Sequence, residues 1–408
     1  MTETFLKSEI NLMVKEIFWI SIVLVVYVYI GYPLLIASMA RIWPRPLVYS
    51  ESHGGSDLPM VTIIIPAHNE EHWIERKIEN TLALDYPHGR MHILVASDGS
   101  ADKTVEIAKQ FASRGVDVIH YPERAGKVAT MNRTVPSAEG EIIFFTDANA
   151  LLEADALRLL IQHFSDPQVG CAGGNRVCLA TNTLSTEGES LYWRYEAWIR
   201  DSESRFGSAL GVYGQLFAVR RQLFPVMSVV SDDFPIPMKI LVSTGARTVF
   251  EPQAMARIPA ARTLRQEWER KIRSHVAFLC DISNLKKGLV PWRSSIWWQF
   301  WSHHVFRVIV PFAMIVAFAT SPLLWKAGMV YQIALYGQLL FYSFAVIGFL
   351  FLRRGIRLRV PYVCFYFVLA NLALVVAWAR WLRGGHFHTW QRTERILPAV
   401  GSQHRQST

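Results

Sequence analysis

Glu141-Ile-Ile-Phe-Phe-Thr-Asp-Ala-Asn149 is the stretch from which the fold can be read. Four apolar residues, Ile142 to Phe145, break into Asp-x-Asn. This reads as a buried parallel strand delivering two oxygen ligands, Asp147 and Asn149, to the carboxyl edge of a sheet, where open α/β folds bind their ligands. Oxygen ligands so placed suit a hard divalent cation clamped on phosphates. The alternative is an Asx turn that closes a core strand.

The surrounding sequence supports the first reading. Residues 61 to 252 alternate strand-like and helix-like segments, the pattern of a mainly parallel sheet covered by helices. Strands are predicted at Val61–Ile65, His92–Ser97, Val116–His120 and Ile142–Thr146, with helices at His72–Leu82, Asp102–Ser113, Lys127–Thr134 and Asp155–Phe164. The first strand runs into Pro66-Ala-His-Asn-Glu-Glu71 and the second into Ser97-Asp98-Gly99-Ser100. With Asp147 these make three polar clusters at successive strand ends, where one nucleotide can be held. Asp98 can accept hydrogen bonds from a base or ribose. Arg124-Ala-Gly-Lys127 offers a flexible turn and a cation at a helix start, a contact suited to a diphosphate, although such a turn can equally be plain solvated surface.

Composition adds a membrane. The 408 residues are 51% hydrophobic with mean hydropathy +0.19, too apolar for a wholly soluble chain. Ile17–Ala40, Ala327–Leu352 and Val360–Ala379 each reach the roughly 20 residues that span a bilayer core. Val308–Trp325 is marginal and contains Pro311 and Pro322. No small-residue cleavage pattern follows the first stretch, which therefore reads as a retained anchor. From Pro291 onward there are twelve Lys and Arg against the single acid Glu394, so the net charge of +9 belongs to the membrane portion. That distribution fits anchoring against anionic headgroups and not a nucleic-acid footprint. Cys171, Cys178, Cys280 and Cys364 have no metal-ligand spacing and suggest no disulfide framework.

After Thr263 the pattern changes. Leu264, Trp268, Ile272, His275, Val276 and Leu279 recur at helical spacing beside Arg265, Arg270, Lys271 and Arg273, as in an amphipathic helix under a membrane. Trp292, Trp297, Trp298 and Trp301, followed by His303 and His304, suggest an interfacial belt or an aromatic core. The expected organisation is an anchor at 1–43, a catalytic domain at 44–262, interface helices at 263–304, transmembrane helices at 305–382 and a basic tail at 383–408.

Pro66-Ala-His-Asn-Glu, Ser97-Asp-Gly-Ser-Ala-Asp102, Arg124-Ala-Gly-Lys-Val-Ala-Thr-Met-Asn132 and Thr146-Asp-Ala-Asn149 resemble, in order and spacing, the nucleotide-sugar half of the family-2 glycosyltransferases. The likeness continues through Tyr192-Trp-Arg-Tyr-Glu196, Gly211-Val-Tyr-Gly-Gln-Leu-Phe-Ala-Val-Arg-Arg221 and Ser231-Asp-Asp-Phe234. It is greatest to the membrane-integrated bacterial branch that includes hyaluronan, cellulose and poly-N-acetylglucosamine synthases. The resemblance implies an α/β fold of the GT-A, Rossmann-like type joined to transmembrane and interface helices. It further implies a nucleotide-sugar site of Pro66, His68, Glu70, Asp98, Lys127, Asp147, Arg270, Trp390 and Arg395. A Mg²⁺ or Mn²⁺ would sit at Asp147 with Asn149, where the family more often has a second Asp. The general base would be Asp233, with Asp232 beside it, and Tyr213, Gly214 and Gln215 would shape the acceptor site. Gln215 stands where small residues are usual. Glu267-Trp-Glu-Arg-Lys271 keeps the Arg of the processive Gln-x-x-Arg-Trp motif and loses its Trp, which weighs against long-chain synthesis. Thr389-Trp-Gln-Arg-Thr-Glu-Arg395 is similar to a segment that closes over the nucleotide.

The expected activity is inverting hexosyl or N-acetylhexosaminyl transfer from a UDP-sugar at the inner face of the bacterial cytoplasmic membrane. The acceptor would be a growing exopolysaccharide, with export through its own helices or accessory proteins, or else a lipid-linked acceptor taking one sugar. A noncatalytic scaffold is the remaining alternative. The arginines of Arg353–Arg359 and of the tail both prefer the catalytic side, so one later apolar stretch should not cross simply. Val308–Trp325 is the expected exception.

Overall fold

The computed structural model describes residues 2–48, 58–178, 186–228, 231–259, 263–284, 296–356 and 358–384. Its strands are β1 (Val61–Ala67), β2 (Met91–Asp98), β3 (Val116–Tyr121), β4 (Ile142–Phe145), β5 (Leu151–Leu152), β6 (Val169–Cys178), β7 (Phe217–Arg220) and β8 (Arg247–Ile258). They form one sheet in the order β3-β2-β1-β4-β7-β6-β8-β5. The helices are α1 (Thr2–Val26), α2 (Tyr32–Ile42), α3 (Ile74–Leu82), α4 (Thr104–Lys109), α5 (Lys127–Thr134), α6 (Ala156–Ile161), α7 (Thr186–Phe206), α8 (Pro235–Thr244), α9 (Leu264–Asn284), α10 (Trp297–Phe300), α11 (Phe306–Leu323), α12 (Met329–Arg353) and α13 (Arg359–Leu382).

The first four strands are mutually parallel, and β7 enters antiparallel between β4 and β6. All four residues of β4 are buried, as a parallel strand covered on both faces requires. Alternate side chains feed two cores. Ile63, Ile65, Ile93, Val95 and Phe144 meet α3 and α6 on one face. Ile64, Leu94, Ile143 and Phe145 meet α5 and α8 on the other. Because every strand end is fixed by these two packed layers, the loops leaving β1, β2 and β4 are held side by side.

The predicted strands fall in place with small shifts at their ends. The helix expected over Asp102–Ser113 is shorter: α4 stops at Lys109, a tight turn follows at Ala112–Arg114, and Gly115 reverses the chain at φ +79. Asp102 lies just outside the helix and accepts from the Thr104 N–H at 3.0 Å. Asp155 occupies the capping position of α6 but makes no side-chain cap bond.

Among the described residues, four helical runs are long and apolar enough to cross a membrane: Ser8–Ile42, Trp297–Leu323, Met329–Arg353 and Arg359–Leu382. The run expected to be broken, Val308–Trp325, is one continuous helix here. The helix runs to Leu323 with both Pro311 and Pro322 inside it, each removing one i→i−4 bond without ending the helix. The first two runs each contain a π-helical turn, Tyr27–Gly31 and Trp301–Val305. These turns face one another: the Tyr27 and Ser302 hydroxyls are 2.7 Å apart, and Trp298 Nε1 donates to the Tyr27 hydroxyl at 3.1 Å. Such turns widen a helix locally and recur at functional sites.

Candidate active site

The first two motif loops are stitched together by their own polar groups. Asn69 adopts a left-handed φ of 54, which asparagine tolerates because its short amide bonds locally. Its N–H donates to Ser100 Oγ at 3.1 Å, and its Oδ1 accepts from the Ala101 N–H at 2.8 Å. The Glu70 N–H donates to Thr104 Oγ1, and His68 Nδ1 lies 2.6 Å from the Asp98 carbonyl. Pro66 pairs with Ala96 at the end of the β1–β2 register. Asp98 itself is buried and accepts from the Ala125 and Gly126 N–H groups at 2.7 and 2.8 Å. Its carboxylate therefore positions the Arg124–Lys127 turn, and one face of it still lines the cavity. Gly99 is obligatory here, since its φ is +62 and a Cβ would lie 2.9 Å from the Arg124 nitrogen.

Lys127, the first residue of α5, is the centre of the site. Its Nζ lies 2.6 Å from Asp147 Oδ1, 2.7 Å from Asp232 Oδ2 and 2.9 Å from the Gly214 carbonyl. One ammonium thus joins the end of β4, the Asp232-Asp233 pair and the Tyr213–Leu216 turn. Gly214 must lack a side chain, because a Cβ would sit 2.7 Å from Asp232 Oδ1. Burial opposes the Lys127 charge, but Asp147 and Asp232 together hold its pKa above the usual lysine range. One cation cannot offset three acids. Burial, with Asp233 and Asp147 nearby and Lys127 opposing, pushes Asp232 up to about 6. Asp233 is raised too, by burial against the pull of Lys127 and Arg200.

A cluster of oxygens already stabilising one cation, with negative charge left over, fits a hard divalent ion. Among the described residues no three His, Cys, Asp or Glu side chains form a metal cage. Asp147 and Asn149 would accordingly need phosphate oxygens to complete the coordination. A residue the motifs do not reveal stands behind them. Lys77 of α3 is fully buried and donates to Thr146 Oγ1 at 2.8 Å and the Ala150 carbonyl at 2.6 Å, bracing the Asp147–Asn149 turn. Burial lowers its pKa to about 7. Its sequence signal is an intruding lysine on the face of Ile74, Ile78 and Thr81.

The same cavity, about 680 Å³, continues from Asp98, Lys127, Asp147 and Asn149 past Asp232 and Asp233 to α7, α9, α11 and α13. Tyr213 is buried against Trp193, and Arg200 lies over its ring at 4.3 Å. Gln215 lines the cavity at the turn. Arg270 also lines it, and its guanidinium is bound by Glu267 at 2.7 Å. Arg270 and Lys271 outweigh the burial of Glu267 and hold its carboxyl at about 2. Lys271 lies 4.4 Å from the Tyr366 ring centroid.

Deeper still, Glu196 is paired with Arg307 at 2.5 Å, Arg200 at 3.7 Å and His303 at 3.6 Å. His303 also reaches Glu203 at 2.8 Å, and Glu203 accepts from the Tyr32 hydroxyl at 2.5 Å. Burial opposes the Glu196 charge, yet Arg307, His303 and Arg200 hold its pKa well below the carboxylate range. Sequence reasoning gave none of these pairings. Trp390 and Arg395 lie outside the described residues.

A mixed sheet with a cavity at the ends of its parallel strands is a GT-A-like fold. Residues 62–226 match the model of glycosyl transferase family 2, and the chain carries a domain of that family. It is 29% identical over 192 residues to the beta-monoglucosyldiacylglycerol synthase of Trichormus variabilis, covering 46% of this chain and 41% of that one. It is 24% identical over 243 residues to the poly-beta-1,6-N-acetyl-D-glucosamine synthase of Staphylococcus aureus, covering 57% and 58%. The chain thus spans about half the length of the curated relatives it matches. A mannosyltransferase of Pyrobaculum calidifontis, solved with GDP-Man and Mn²⁺, shares the fold at TM-score 0.68 and 22% identity, over 91% of this chain and all of that one.

Proposed function

We propose that the protein is an inverting membrane glycosyltransferase that takes a sugar from a nucleotide-diphosphate donor, a UDP-sugar first among candidates. The observation that carries this reading is the single cavity in which Lys127 joins Asp147, at the donor edge, to Asp232, beside Asp233. Asp98 and the His68–Glu70 loop bind the nucleoside end, and Lys127 with Arg270 faces the diphosphate. Asp147 and Asn149 would hold a Mg²⁺ or Mn²⁺, which would supply charge that offsets the diphosphate.

Asp233 is the base. It takes the proton of the acceptor hydroxyl as that oxygen bonds to the anomeric carbon and the bond from that carbon to the diphosphate oxygen breaks; the diphosphate leaves with the electron pair. Direct displacement inverts the anomeric centre and needs a carboxylate on the acceptor side. Asp232, tied to Lys127 and pressed against Gly214, is the positioning member of the pair.

Of the two acceptor classes, a lipid-linked acceptor taking one sugar is favoured over a growing polysaccharide. Lys271, stacked on Tyr366 and paired with Glu267 at 3.5 Å, puts a cation where processive relatives carry an apolar ring. The four apolar runs and the basic C-terminal portion support a place in the bacterial cytoplasmic membrane with the catalytic domain in the cytoplasm. The test is incubation of detergent-purified protein with radiolabelled UDP-sugars and GDP-mannose, with and without chelator. Metal-dependent consumption of one donor is expected; consumption of none overturns the reading.

A further inference from the structure

The last apolar helix does not run where a crossing helix should. α9 touches the catalytic domain at two points: Lys271 is 5.4 Å from the Tyr192 ring centroid, and Phe278 packs on Phe234 with ring centroids 5.0 Å apart. α13 follows α9 in the same direction. Leu264 packs with Tyr362 and Phe365, the Tyr366 hydroxyl donates to Glu267 at 3.3 Å, and Ile272, Val276 and Leu279 pack with Ala373, Leu374 and Ala377. Both ends of α13 are therefore near the domain.

With α12 it forms a hairpin, Gly348 against Pro361 and Phe349 against Phe365 at 5.6 Å, and its depth is set by its contacts with the first and second apolar runs. The Tyr29 hydroxyl donates to Asn371 Oδ1 at 3.0 Å, only three residues before Tyr32, whose hydroxyl bonds Glu203 of the catalytic domain. Trp378 Nε1 donates to the Val308 carbonyl at 2.9 Å, and its ring meets Phe312 at 6.0 Å, both in the domain-side turns of α11. The distal ends of the other helices instead close on one another through Phe18, Leu324 and Tyr331. A helix of 24 residues is about 36 Å long. Had α13 crossed, its end would lie near that distal cluster and not beside Val308.

Charge gives an independent argument. Arg353, Arg354, Arg357 and Arg359 precede the bulk of α13, and Arg380 and Arg383 end it, so both flanks carry the signature of the same membrane side. Val360, Val363, Leu372 and Leu382 remain exposed on it, between basic ends. Arginines at both ends favour the anionic headgroup layer of one leaflet.

We infer that α13 lies in the bilayer surface on the catalytic side and does not cross. The crossings are then Ser8–Ile42, Trp297–Leu323 and Met329–Arg353, and both ends of α13 stay on the catalytic side. Tyr366, Phe367, Asn371 and Leu374 line the cavity, so α13 is its floor, and an acceptor reaches Asp233 at headgroup depth. This placement is independent of the donor and acceptor chemistry proposed above.

The test uses single cysteines in a full-length chain whose four native cysteines are replaced by serine. Ser113→Cys marks the catalytic domain, Lys326→Cys the turn between α11 and α12, and Ser402→Cys the tail. With a membrane-impermeant maleimide on intact cells, Ser402→Cys should follow Ser113→Cys and label on the opposite side from Lys326→Cys. If Ser402→Cys labels together with Lys326→Cys, α13 crosses and the inference is overturned. Protease protection of a C-terminal epitope on the otherwise unaltered protein in sealed vesicles reads the same side without cysteine replacement. Donor turnover by the same preparations reports separately on the glycosyltransferase reading.

Discussion

The sheet edge and the membrane-facing wall of the cavity hold charge by different means. At the edge, backbone and short loops do the holding: Ala125 and Gly126 grip Asp98, and the Asn69 and Ser100 loops bond each other. At the wall, long side chains reach between distant helices, as when Glu196 of α7 meets Arg307 of α11 and Glu203 meets Tyr32 and His303. A backbone-held charge needs its partners close in sequence or at adjoining strand ends. A helix-held charge needs only a shared face, and its partners can be a hundred residues away. Function at the edge should therefore be lost one residue at a time, while the wall should fail by destabilising the helix assembly.

The largest expected effect tests the acid pair that faces the edge. Asp233→Asn should cut transfer by about 10²–10⁴-fold while donor affinity stays nearly unchanged, because the carboxylate acts on the acceptor proton. Rapid turnover by this variant would move the base to Asp232. Next, Asp147→Ala, or excess chelator with the intact protein, should lower activity and sharply weaken binding of the nucleotide diphosphate in calorimetry. Equal binding with and without the side chain would remove Asp147 from the metal site.

The wall should respond differently. Glu196→Gln leaves Arg307 buried without its main partner, and removing one member of a buried pair costs about 3–5 kcal/mol. Lower unfolding stability in detergent, with unchanged donor affinity in the folded fraction, is expected. Altered donor affinity without destabilisation would mean that the two regions are one electrostatic unit.

The smallest effect concerns the brace behind the edge. Lys77 has its pKa lowered from the ordinary lysine value to about 7 by burial. Above pH 7 the unfolded chain therefore holds a proton that the folded one has lost, so stability rises with pH between about 7 and the usual lysine range. The slope is at most about 1.4 kcal/mol per pH unit. Lys77→Met should flatten this slope relative to the unaltered protein in paired urea titrations; identical slopes would show that Lys77 stays charged in the fold.

What the sequence revealed follows the same division. β1, β2 and β4 were legible because strands covered on both faces are written as apolar runs, and the site residues Asp98, Lys127, Asp147 and Asp233 because each stands next to a strand end or a helix start. Lys77 was overlooked, although its place on the apolar face of α3 betrays it. The Glu196 network could not be read, since nothing local links residue 196 to residue 307. The Val308–Trp325 stretch was expected to be broken because of Pro311 and Pro322, yet it packs as one helix. The conflict between arginine placement and the count of crossings was real in the sequence. Only the contacts of α13 with α9 and Val308 indicate which helix resolves it.

The most direct test of the central claim is to give the purified protein a labelled donor together with membrane lipids and to separate the products between organic and aqueous phases. The account predicts label carried one sugar at a time into the organic phase, dependent on divalent metal and absent with Asp233→Asn. A water-soluble product that lengthens with time would contradict the single-addition acceptor, and label that never leaves the donor would contradict the site itself.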